Sequence, residues 1–573
     1  MSGMLRRSTV AIALVAGVLA VAAVPAIRHR RPHADARSAR NSGTIVASIR
    51  AEPRSFNRYT SRDLSTTVLT YLMHSGLVHV NRVTNQLEPD LAERWELLPD
   101  GRTFRLHLRP NVQFSDGAPF SAADVVFSFN AIYDEKAASV LADSLQVRGK
   151  PLVVAAEDAL TVTIRFPTPF GAGLRLLDGV PIYPRHRLAT ALAAGSFRSA
   201  WGLTTAAADL AGLGPFVLRR YEPGQRLTFD RNPRFWRHDR GFPKADRVVL
   251  EIVPDQDTEL LQLDNGAIDL TQSELRPSDL AALKRAGSAG RVAVSDAGVA
   301  LDGDLLWINL GDARSRDPRA QWLQAGDFRR ALAHSVDRRT FIDTVYLGEA
   351  VAADSIISPG NAGWHVHAPV PEFDPASARR LLANLGLTDS DHSSKLRDRR
   401  GEPARFALLT QKGNTSLERG AAVLRDSFAS VGLQVDVVPL EVGSLIDRVM
   451  RGDYDAAYFS LVTTDSDPSL NLDFWLSSGG AHLWNPEQRV AATTWEADID
   501  RLMDQVSTTI DPQERRTAFE KVQEIIAREV PVLCFAFPRQ RIAVSSRIVD
   551  ATPAPYRPPL LWNPAAIGVR AAQ

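Results

Sequence analysis

Residues 91–130 read LAERWELLPDGRTFRLHLRPNVQFSDGAPFSAADVVFSFN. Pro99-Asp100-Gly101 is turn chemistry: an aspartate that can accept from the amides ahead of it, then a glycine that tolerates positive φ. After it, Thr103-Phe104-Arg105-Leu106-His107-Leu108 alternates in the two-residue period of a strand, which predicts a hairpin, and Asp116-Gly117 marks a second turn at its exit. Ser121-Ala122-Ala123-Asp124 has the form of a capping box, with Phe120 and Val125 spaced as a hydrophobic staple. It predicts a helix start, followed by Val126, Phe127 and Phe129.

The same mixture extends in both directions. Upstream, Thr44–Ile49 is a short β-rich run, and Leu64, Val68, Leu69 and Leu72 fall on one helical face. Downstream, Asp374-Pro375 supplies an N-cap with proline at the first helical position, Leu381, Leu382 and Leu385 supply the stripe, and Gly386 stops it. Asp511-Pro512 repeats that start, with Phe519, Val522 and Ile526 as its stripe. Val532-Leu533-Cys534-Phe535-Ala536-Phe537 is apolar without a break, so it predicts a strand buried on both faces, in which Cys534 is a small core hydrophobe. Interleaved helices and strands give an α/β fold class.

Length and charge bound what such a fold can do. With 573 residues, the chain exceeds a single ordinary core. Its net charge of +1 lacks the basic excess of a nucleic-acid binder. That figure averages two unlike parts: residues 1–40 hold seven arginines and one aspartate, net +6, so the remaining 60 basic and 65 acidic residues leave the body at −5. Arg6-Arg7, the apolar run from Ser8 to Ile27 and Arg28-His29-Arg30-Arg31 form an export segment, either a signal peptide or an N-terminal anchor. No cysteine stands near its end for lipid attachment, and no later run is long and apolar enough to span a bilayer. The expected location is the periplasm or the outer face of the cytoplasmic membrane.

Catalytic templates can be tested by enumeration. There is no Gly-x-Ser-x-Gly elbow, Ser-x-x-Lys pair, Gly-x-x-x-x-Gly-Lys phosphate loop or His-Glu-x-x-His helix. His365-Val366-His367, beside Trp364, is the one tempting metal pair, but the sequence offers no third ligand and a polar loop explains it. Arg397-Asp398-Arg399-Arg400 reads as a solvated, self-neutralising loop. The chain is therefore expected to be neither an enzyme nor a carrier of a metal or cofactor.

Residues 91–130 closely resemble the signature of the peptide/nickel (oligopeptide/dipeptide-binding) family of extracytoplasmic solute-binding proteins, the capture subunits of ABC importers. The marks are a tryptophan after Leu-Ala-Glu, Asp-Gly at the turn, and Asp-Gly-x-Pro leading to Ala-x-Asp-Val. Four further blocks follow in the family's order: GLGPFVLRRYEPGQRLTFDRNPRFW from Gly212, LLQLDNGAIDL from Leu260, FRRALAHSVDRRTFIDTVYLGEA from Phe328, and GLQVDVVPLEVGSLIDRVMRGDYDAAYF from Gly432. The resemblance implies a two-lobed periplasmic-binding-protein fold of class II type with an extra subdomain inserted in the first lobe. Mapped here, the first lobe is 43–83, 211–303 and 530–573, the insert 84–210, and the second lobe 304–529. It implies capture of an oligopeptide or dipeptide by hinge closure, delivery to membrane permease subunits, and a monomer; relatives that carry nickel complexes, haem, opines or oligosaccharides keep other solutes open. In peptide-binding relatives an aspartate near an Asp-Pro-like turn holds the ligand's α-ammonium, which points to Asp465 or Asp467 in Thr464-Asp465-Ser466-Asp467-Pro468. Lys412 is the candidate for a ligand carboxylate, and Trp364, Trp475 and Trp484 are candidate pocket walls, with plain core as the competing role for each tryptophan.

Overall fold

The computed structural model describes residues 43–272, 275–288, 290–311, 317–461 and 466–570. The export segment and Asp465 lie outside the described residues. Contacts divide the described residues into two units, 299–539 and 43–298 with 540–570, so the chain passes between them at 298/299 and 539/540.

In the unit formed by 43–298 and 540–570, Thr44–Ile49 runs parallel to Arg247–Ile252, and Arg226–Arg231 and Phe216–Glu222 extend the sheet antiparallel. A second, wholly antiparallel sheet takes the order Ala92–Leu97, Thr103–Leu108, Thr161–Arg165, Val153–Ala156. Its first two strands are the hairpin read from the sequence. Asp100 closes it as expected, accepting from the amides of Arg102 at 3.1 Å and Thr103 at 2.9 Å, while Gly101 takes φ +68°. The helix Ala122–Tyr133 begins at the expected cap: the Asp124 carboxylate accepts from the Ser121 amide at 2.9 Å. Val125, Phe127 and Phe129 are buried.

The 299–539 unit is built on a five-stranded sheet in the order Gln434–Leu440, Arg405–Gln411, Ala456–Ser460, Asp304–Ile308, Val532–Cys534. The first three strands are parallel, and Asp304–Ile308 is antiparallel to both of its neighbours. Both faces are covered. Leu306, Ile308, Phe406, Leu408 and Leu533 enter one core with the helices Gly326–His334, Pro375–Asn384 and Thr415–Ser430. Leu305, Trp307, Leu409, Phe459 and Cys534 enter the other with Val442–Met450, Thr494–Thr508 and Pro512–Glu529. Strict alternation between two apolar cores is why these strands read as unbroken hydrophobic runs.

One expectation is corrected. Mapping 530–573 to the first lobe places Val532–Phe537 in that lobe. Val532–Cys534 is buried as predicted, but it pairs with Asp304–Ile308 and ends the sheet of the 299–539 unit. A two-sided apolar run specifies burial, and carries no information about which strand will be its partner. The passage to the other unit comes later, inside Ala536–Ser545, whose first residues pair with Ala350–Ala352. Among the described residues no helix is long and apolar enough to cross a membrane.

Candidate functional site

The turn that carries Asp467 is braced from three directions. Asp467 caps the short helix Pro468–Asn471 by accepting from the Ser469 amide at 2.9 Å. Arg515, from the helix Pro512–Glu529, donates through Nη2 to Asp467 Oδ1 at 2.6 Å and to Ser469 Oγ at 3.0 Å, and its Nε donates to the Val506 carbonyl at 2.8 Å. Trp364 lies over the Arg515 guanidinium, 5.0 Å from ring centroid to Cζ, and its indole Nε1 donates to the Ser466 carbonyl at 3.2 Å. Both side chains of the ion pair are almost fully buried, 6% and 2% exposed. Asp467 therefore spends its charge inside its own unit, and the Asp-Pro sequence that suggested it is a cap.

The three tryptophans belong to one aromatic train. Trp364 and Trp475 both meet Phe519 edge-on, at 5.7 and 5.1 Å, and Trp475 and Trp484 both meet Phe474, at 4.7 and 6.0 Å. Trp475 and Trp484 are wholly buried core side chains, and only Trp364 keeps partial exposure. Lys412 is not brought to this group. It is exposed just beyond the strand Arg405–Gln411 and pairs with Glu441 at 3.1 Å.

A second buried carboxylate escaped the sequence reading. Glu496 accepts from Trp484 Nε1 at 3.2 Å, from the amides of Ala492 and Thr493 at 3.0 and 2.9 Å and from the Thr493 hydroxyl at 3.0 Å; His482 Nε2 lies at 3.3 Å. Burial pushes its pKa up, but the hydrogen bonds from His482, Thr493 and Trp484 outweigh burial and bring it down to about 2. The signal was present as a capping box, Thr493-x-x-Glu496. His365 and His367 meet on one carboxylate: His365 Nε2 lies 2.9 Å from Asp354 Oδ1, and His367 Nδ1 lies 2.9 Å from Asp354 Oδ2. Among the described residues no group of three or more His, Cys, Asp or Glu is arranged to hold a metal. The Arg397–Arg400 loop neutralises itself, with Arg397 on Asp391 and Arg400 on Asp398.

The model of the family described as bacterial extracellular solute-binding proteins, family 5, matches residues 86–482, well over half of the chain. The chain belongs to this family. Family 5 proteins bind solutes outside the cytoplasm and are not enzymes. The dipeptide-binding protein of Escherichia coli K12 is 25% identical over 546 residues, covering 88% of this family 5 chain and 94% of its own length. Among solved structures, the ABC transporter substrate-binding protein CtaP of Listeria monocytogenes superposes with a TM-score of 0.76 at 22% identity, over 92% of this chain and 99% of that one. The oligopeptide-binding protein AppA of Bacillus subtilis, in complex with a nonapeptide, superposes with a TM-score of 0.68 at 21% identity, over 93% and 99%. These likenesses establish the class II periplasmic-binding-protein fold, as the sequence resemblance implied.

Proposed function

We propose that this protein is the substrate-binding subunit of an ABC importer and captures peptides outside the cytoplasm for delivery to membrane permease subunits. The observation that carries this reading is the family 5 match across residues 86–482, taken with relatives whose names are dipeptide-binding and oligopeptide-binding. Capture is by hinge closure of two lobes, 43–83 with 211–303 and the C-terminal return as the first, 84–210 as its insert, and the remainder as the second. Ligand shifts the population toward the closed form because only that form contacts it from both lobes.

A peptide α-ammonium withdrawn from water needs a fixed anion, or its burial costs several kcal/mol. Asp465 takes that role. The commitment of Asp467 to Arg515 supports choosing its neighbour. Lys412 receives the far carboxylate by exchanging its exposed partner Glu441, and Trp364, the tryptophan with surface left over, lines the pocket. The protein acts as a monomer in the periplasm or at the outer face of the cytoplasmic membrane, brought there by residues 1–40.

Native mass spectrometry of the protein as purified tests the ligand class. The expected result is one or more added masses that prove to be peptides after denaturation. A nickel complex, haem or a saccharide in their place would overturn the peptide reading.

A further inference from the structure

The helices Gly326–His334 and Pro375–Asn384 of the 299–539 unit leave between them a groove of about 450 Å³, at the lower end of small-molecule site volumes. Its polar lining is Arg330, His334, Ser377, Arg380 and Asn384, against an apolar wall that includes Leu381, with no carboxylate among the lining side chains. The arginines come from two Arg-Arg pairs that divide in the same way. In each pair the first arginine is tied to the backbone of a neighbouring element: Arg329 donates to the Glu529 carbonyl at 3.0 and 2.8 Å, and Arg379 to the Ser430 carbonyl at 2.9 Å. The second arginine of each pair lines the groove.

The two groove arginines are held in place. Asp327 pairs with Arg330 Nη2 at 2.5 Å, and the guanidinium lies where a side chain at Gly326 would reach, 3.2 Å from an added Cβ. Arg380 Nη2 donates to Ser377 Oγ at 2.6 Å, and the Ser377 hydroxyl is itself bonded to the helix cap Asp374. Arg380 makes no ion pair among the described residues. Each guanidinium carries five N–H donors, so among the described residues most have no protein acceptor on either arginine, and Asn384 adds an amide.

Donors from three separate side chains outnumber the two oxygens of a carboxylate and suit an anion with three or four acceptor oxygens. We propose that this groove is a binding site for a phosphate group, whether of a soluble phosphate ester or of a phospholipid headgroup. It is independent of the peptide reading, because none of its residues is a peptide candidate.

The test uses the full-length body in about 0.15 M salt, where exposed charges more than a Debye length apart are largely screened. Glycerol phosphate is titrated by calorimetry, and vesicles of phosphatidylglycerol in phosphatidylcholine are tested by flotation beside vesicles of phosphatidylcholine alone. Binding of glycerol phosphate assigns a soluble ester; binding of the anionic vesicles alone assigns a headgroup. In either case Arg330→Gln with Arg380→Gln weakens binding about tenfold or more, while Arg425→Gln, an exposed arginine on Thr415–Ser430, changes it less than about twofold. Unchanged thermal unfolding checks that the double variant is folded, and Asn384→Ala supplies an independent loss of one donor. Absence of binding to either probe, equal affinity for succinate, or an equal loss in Arg425→Gln would overturn the proposal.

Discussion

Asp467 and Glu496 are two carboxylates of the same unit, equally withdrawn from water at 2% and 3% exposure, and both sit at helix starts. They are compensated in opposite ways. Asp467 relies on one permanent cation, Arg515, which lies 48 residues downstream. Glu496 relies on several local donors gathered within its own turn and the preceding loop, and the ionisable side chain it meets there is a histidine, His482. The contrast shows how an acid that looks like a ligand residue in sequence can be consumed by structure: locally, where a cap motif betrays it, or at long range, where nothing nearby does.

The sharpest way to break the comparison is to remove the distant cation. Arg515→Met leaves Asp467 buried and unpaired, and should cost about 3–5 kcal/mol in chemical denaturation. Adding Asp467→Asn to it should recover part of the loss, because the two changes act on one interaction. If Arg515→Met were nearly neutral, Asp467 would not depend on a single partner.

A smaller, pH-dependent effect belongs to Glu496. Its folded pKa of about 2 lies below the ordinary value of 4.5, so its ionised form favours the folded state. That contribution is complete above about pH 4.5 and fades as pH falls toward 2. The stability gap between the wild type and Glu496→Gln should therefore narrow across that window in acid denaturation series. A gap that stays constant would mean that the carboxylate is not held ionised by its donors. Smallest of all, Lys412→Ala removes only an exposed pair with Glu441 and should change stability by less than about 1 kcal/mol, whatever it does to ligand affinity.

Local chemistry made much of the fold legible. The hairpin turn at Asp100-Gly101, the caps at Ser121, Asp374 and Asp511, and the stripe of Phe519, Val522 and Ile526 all stand where their residues indicated, since each depends on partners within one or two turns. Long-range pairing was not legible. The apolar character of Val532–Cys534 told its burial but not its neighbour, and Asp467 beside Pro468 announced a cap without naming Arg515. For the same reason Trp475 and Trp484, whose type suits a pocket wall or a core equally, were resolved only by their packing against Phe474.

The central claim, capture of a peptide by its α-ammonium, is tested most directly by calorimetric titration of one short peptide with a free N-terminus and of its N-acetylated form, in the wild type and in Asp465→Ala. The account predicts binding of the free peptide, with a loss of about tenfold or more on acetylation and a similar loss in Asp465→Ala. Equal affinity for the free and acetylated peptides, or no heat from either, would contradict it.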